Sequence, residues 1–95
     1  MKQAYKDKIK AIRQAARLNI VDIQSIIPFV DSDIKSVEKR IKVYDAKYEL
    51  TYTQQDKYDE LEDKYDELSE LKESLEEIIN ALEDVVFATD FIEFD

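Results

Sequence analysis

The chain of 95 residues has no glycine, cysteine, histidine or tryptophan, and only one proline and one methionine. Each absence removes a class of function. Without glycine there is no P-loop, no dinucleotide fingerprint and no EF-hand loop, because each needs a backbone conformation that glycine alone takes without strain. Asp31-Ser32-Asp33 opens like a calcium loop, but Lys35, Ser36 and Lys42 stand where a third ligand, the glycine and the closing glutamate belong. Without cysteine and histidine there is no zinc site of the usual kind, no thiol nucleophile, no imidazole base and no disulfide framework. Carboxylates, lysines, tyrosines and hydroxyls remain, and acids on an open helix face lack the enclosed pocket that catalysis needs. The expectation is a protein that is not an enzyme, with no cofactor and no metal.

Long apolar runs are also missing. The longest is Ile26-Ile27-Pro28-Phe29-Val30, far short of a membrane span. Residues 1–10 are charged at nearly every second position, so they lack the apolar stretch of a secretion signal. The location expected from this is cytoplasmic, with no membrane contact.

What the chain does have is charge, divided by sign. Residues 1–43 carry 10 bases against 5 acids, and residues 44–95 carry 18 acids against 4 bases. Inside the acidic half lies a heptad duplication, Asp56-Lys-Tyr-Asp-Glu-Leu-Glu followed by Asp63-Lys-Tyr-Asp-Glu-Leu-Ser. Tyr58, Leu61, Tyr65 and Leu68 then share one side of a helix, as in a coiled coil.

The fold class read from this is all-α: a small bundle on a long antiparallel helical hairpin, about 33–50 and 54–87, with a basic N-terminal helix packed on it. In the basic helix Tyr5, Ile9, Ile12 and Ala16 recur at helical steps, flanked by a stripe of Lys2, Lys6, Lys10, Arg13 and Arg17. A shift of pattern near Asn19 and the proline at 28 predict a short second helix, then a turn over residues 29–32. The domain plan is therefore a head over 1–30, a hairpin over 31–87 and an acidic, aromatic tail over 88–95. Ile34, Val37, Ile41, Tyr44 and Tyr48 keep the three-four spacing of the first long helix, and Val37 is expected to face the region of Leu68. Thr51 with Gln54, or Thr53 with Asp56, makes a capping box that predicts a turn within 50–54. Without that break, residues 32–87 form one continuous helix. The last helix is read through Leu71, Leu75, Ile78, Leu82 and Val85, a stammer in the heptad that argues against a strict two-stranded coiled coil.

Three features bear on function. Asp59, Asp63, Asp66, Glu70, Glu73 and Glu77 fall at steps of three and four and line one edge of a helix. The segment 56–84 holds 13 acids and 3 bases. That is about one acid per 3.4 Å of helix, near the axial phosphate spacing of one DNA strand. Such a ridge suits the basic groove of a nucleic-acid-handling protein, and an inhibitor of that kind is the sharpest functional reading. Its plain counterparts are a solvating face, or an acidic face neutralised by the basic stripe of the first helix. With the ridge go Phe91 and Phe94, either in a docked strap or presented to the partner.

Lys35, Lys39 and Arg40 carry the alternative, a DNA-binding helix-turn-helix on a helical dimerisation stalk. A plain coiled-coil structural protein is the third reading. Tyr44, Tyr48, Tyr52, Tyr58 and Tyr65 are expected as a core cluster at the end of the hairpin. The expected partner is another protein with a basic surface. A homodimer is compatible with the seam, and nucleic acid is a partner only under the alternative.

Overall fold

The structure is a computed structural model and describes residues 3–90. It consists of two α-helices, α1 (Gln3–Asp45, 43 residues) and α2 (Tyr52–Asp90, 39 residues), joined by a short loop and packed on each other as an antiparallel hairpin. No strand occurs among the described residues. By its contacts the chain divides into two compact units: unit 1, Met1–Ile26 with Leu75–Asp95, and unit 2, Ile27–Ser74.

The pairing of the helices follows from an unbroken seven-residue repeat on each. On α1 the covered residues are Lys6, Ile9, Arg13, Ala16, Ile20, Ile23, Ile27, Val30, Ile34, Val37, Ile41 and Tyr44, alternating steps of three and four throughout. On α2 they are Gln54, Tyr58, Leu61, Tyr65, Leu68, Lys72, Leu75, Ile79, Leu82, Val86 and Thr89, with the same alternation. Lettering each repeat so that these seam residues take a and d leaves few other covered positions on either helix. The core is thin, and no large side chain is fully buried.

Unit 2 contains the loop. Tyr58 on α2 donates its hydroxyl to Asp45 of α1 (2.8 Å), and Lys72 on α2 pairs with Asp31 of α1 (2.7 Å). Going from one pair to the other moves equally far along both helices in opposite directions, which is the antiparallel register. Val37 and Leu68, expected near each other, are both buried in this unit. The loop ends as the capping chemistry predicts. The Thr51 hydroxyl accepts from the Gln54 amide (3.2 Å), while the Gln54 side chain accepts from the Thr51 amide (3.0 Å). This reciprocal pair satisfies two backbone donors at the start of α2. Thr53 and Asp56 lie inside the helix.

Unit 1 holds the first part of α1 against the last part of α2. Arg13 and Arg17 both reach Asp90, at 2.9 and 3.5 Å. Lys6 is only 7% exposed at an a position. Thr89 turns its hydroxyl back onto the carbonyls of Val85 and Val86 (3.0 and 2.9 Å), which lets it occupy a seam position with its donor satisfied.

Three expectations need correction. The turn over residues 29–32 does not form, and α1 runs through Pro28. Proline costs a helix interior roughly 3 kcal/mol by removing one N–H and crowding the carbonyl four residues back, here Gln24. Pro28 stands on the exposed side of α1, while Ile27, Val30 and Ile34 around it join the seam, and their burial outweighs that cost. The basic head is thus the first part of α1 and not a separate helix, so residue 30 ends no element. The stammer is absent too: Lys72 and Ile79 hold the seam, whereas Leu71 and Ile78 are 45% and 46% exposed. Finally, Tyr48 and Tyr52 are 100% and 94% exposed and belong to no core, because α1 ends at Asp45 before Tyr48, and Tyr52 opens α2 on a position facing away from the seam.

Candidate functional site: a carboxylate face on α2

On α2 the seam takes a and d, so positions b and f point away from it. Asp59, Asp66 and Glu73 occupy b, and Asp63, Glu70 and Glu77 occupy f. All six are exposed. Asp59 through Glu73 belong to unit 2, and Glu77 lies on α2 within unit 1. Asp59 accepts from the Gln55 side chain (3.0 Å), one turn earlier on the same helix. No ion pair joins any of the six to another described residue.

This arrangement bears on the neutralised-face reading. The arginines of the basic stripe are directed elsewhere, Arg13 and Arg17 to Asp90 at the end of α2. In unit 2 the ridge keeps its like-charge neighbours, Asp59 with Asp63, Asp63 with Glu67, and Asp66 with Glu70. Each such pair at i,i+4 costs a few tenths of a kcal/mol in an isolated helix. Among the described residues no three carboxylates converge in a way that would hold a metal ion.

The aromatic flank of unit 2 is smaller than expected. Tyr44 and Tyr58 pack edge to face, centroids 6.4 Å apart and planes at 84°, and the Lys47 ammonium lies 5.2 Å from the Tyr44 ring centre. The Tyr58 hydroxyl lies between two carboxylates. The carboxylates of Glu62 and Asp45 disfavour the phenolate, and Asp45 accepts the hydroxyl's hydrogen bond, so its pKa is pushed well above the usual tyrosine range. Phe91 and Phe94 lie outside the described residues.

Lys35, Lys39 and Arg40 are exposed, but they sit within the continuous α1. The two-helix, one-turn geometry expected around them is not formed, since residues 23–41 are a single run of helix. Arg40 belongs instead to a groove that the sequence reading missed, shared with Lys47, Lys57 and Lys64. The signal was present: once the heptad is lettered, Arg40, Lys57 and Lys64 all fall on g. Compared with known proteins, the chain matches no family model, no curated sequence and no solved structure.

Proposed function

We propose that this protein is a non-enzymatic binding module, and that it engages a basic protein surface through the carboxylate face of α2. The observation that carries this reading is the set of exposed ridge acids without cationic partners among the described residues. A face serving only solubility is better built from alternating signs, which gain stability at i,i+4 where this one loses it. A regular row of carboxylates along a helix resembles a phosphate strand in charge spacing, so the partner surface that fits it best is a groove built for nucleic acid. Binding there would block the groove, and the protein would act as an inhibitor.

The test is the triple variant Asp63→Asn, Asp66→Asn, Glu70→Gln, whose three positions are all exposed. Its fold should be kept or slightly firmer, because like-charge repulsion is relieved. Proteins captured from a lysate by the parent at low salt should be lost with the variant, and duplex DNA should displace them from the parent. Equal capture by parent and variant would reject the ridge as a binding face. Loss with the variant but no displacement by DNA would keep the ridge and reject the nucleic-acid groove as its target.

A further inference from the structure

Three of the four basic residues between positions 44 and 95 are Lys47, Lys57 and Lys64, and all three line one groove with Arg40 of α1. The groove lies wholly in unit 2 and has a volume of about 550 Å³, within the range of roughly 300–1,000 Å³ usual for ligand sites. Val43, Tyr44 and Leu61 give it an apolar floor, and Glu60 is the one acid in its lining.

Fold stability does not account for this grouping. Residues flanking a two-helix seam usually pair opposite charges across it. Here Arg40 on one helix meets Lys57 and Lys64 on the other, all of one sign, in a chain with 23 acids to choose from. No ion pair joins any of the four cations to a described carboxylate. Glu60, at helical spacing from Lys57 and Lys64, offsets part of their repulsion; four cations against one acid leave an excess whose cost is recovered when an anion binds.

We infer that this groove is a second binding site, for a short extended peptide segment with carboxylates flanking an aromatic side chain. The cations take the carboxylates, and the apolar floor at Tyr44 and Leu61 takes the ring. A peptide is favoured over a nucleic acid by the rest of unit 2. Asp63, Asp66 and Glu67 lie one turn or less along α2 from Lys64, well inside a Debye length of about 10 Å, and repel a polyanion that extends past the groove. A short segment meets the four cations and one acid, Glu60.

The experiment uses the full chain and a capped peptide, Asp-Glu-Phe-Asp-Glu-Phe, with binding followed by isothermal calorimetry at low and high salt. Saturable binding that weakens with salt is expected. The double variant Lys57→Gln, Lys64→Gln should lose about tenfold or more in affinity, that is about 1.4 kcal/mol or more. The amide-carboxamide version of the peptide, Asn-Gln-Phe-Asn-Gln-Phe, should lose as much. The ridge variant Asp63→Asn, Asp66→Asn, Glu70→Gln should bind the peptide at least as well as the parent, so the outcome here is independent of the ridge. Circular dichroism checks that Lys57→Gln, Lys64→Gln stays helical, and Arg40→Gln alone provides a milder variant expected to weaken binding less. No peptide binding, unchanged affinity in the lysine variants, or tighter binding of oligouridylate than of the peptide would each overturn the inference.

Discussion

Units 1 and 2 share one seam pattern and differ in the line of residues beside it. In unit 2 the g positions are Asp33 and Arg40 on α1, and Lys57, Lys64 and Leu71 on α2. In unit 1 they are Tyr5, Ile12, Asn19 and Ile26 on α1, and Ile78 and Val85 on α2. Charge beside the seam in one unit gives way to an apolar line in the other. A two-helix seam needs only a and d to be apolar, so unit 2 is patterned as a self-sufficient pair, with its flanks free for charged work. Unit 1 carries a wider apolar arc than its own pairing consumes: Tyr5, Ile12, Ile26 and Ile78 are all substantially exposed.

The sharpest break of that comparison lies between two adjacent isoleucines. Ile79 is buried in the seam of unit 1, and Ile78 stands beside it on the flanking line. Ile79→Ala should cost about 2–4 kcal/mol, as should Leu68→Ala in unit 2, whereas Ile78→Ala should cost under about 1 kcal/mol. Urea denaturation followed by circular dichroism measures all three. If Ile78→Ala were as costly as Ile79→Ala, the flanking line would be part of the core and the distinction drawn between the units would fail.

The same line explains what the sequence made legible and what it hid. The helical hairpin, its antiparallel pairing and the capping box at Thr51 were readable, because heptad spacing and capping are local signals, whereas the continuity of α1 through Pro28 was not. The seam of unit 1 was not. Tyr5, Ile9, Ile12 and Ala16 mix flanking positions with seam positions, and Leu71, Ile78 and Val85 form an apolar row one residue ahead of Lys72, Ile79 and Val86. With charged Lys6, Arg13 and Lys72 inside the seam and apolar residues just outside it, periodicity alone slides by one. Ion pairs such as Lys72 with Asp31 make a charged seam position tolerable, and they depend on the other helix, which no local pattern contains. The acidic ridge was legible as spacing, and its lack of cationic partners required the structure. The basic groove was hidden because Arg40 and Lys57 are distant in sequence.

The described ends of the helices offer a second contrast. Unit 2 closes through a loop that ends in the Thr51–Gln54 capping box, while in unit 1 Asp90 at the end of α2 is held by Arg13 and Arg17. Thr51→Ala should cost about 1 kcal/mol, the usual worth of an N-cap hydroxyl. Asp90→Asn should cost under about 1 kcal/mol and lose its effect in high salt, as partly exposed ion pairs do. Melting curves at two salt concentrations separate them. A salt-dependent loss in Thr51→Ala, or a salt-independent one in Asp90→Asn, would reverse the assignment.

The smallest effect expected is confined to unit 2 and to alkaline pH. The Tyr58 hydroxyl donates to the Asp45 carboxylate, and a phenolate there would face the negative charges of Glu62 and Asp45. Its folded pKa is therefore raised above the unfolded value of about 10. A raised pKa means that the folded state holds the proton more tightly, so the contribution to stability is fully present below about pH 10 and is lost as pH rises through the folded pKa. Tyr58→Phe removes the hydroxyl and leaves the ring against Tyr44. The difference in stability between parent and Tyr58→Phe should be constant from neutral pH to about 10 and should shrink above it. Every other side chain is common to the two proteins and cancels from that difference to first order. The measurement is urea denaturation of the two proteins side by side across the alkaline range. A difference that stays flat through that range would mean that the Tyr58 proton is not held by Glu62 and Asp45.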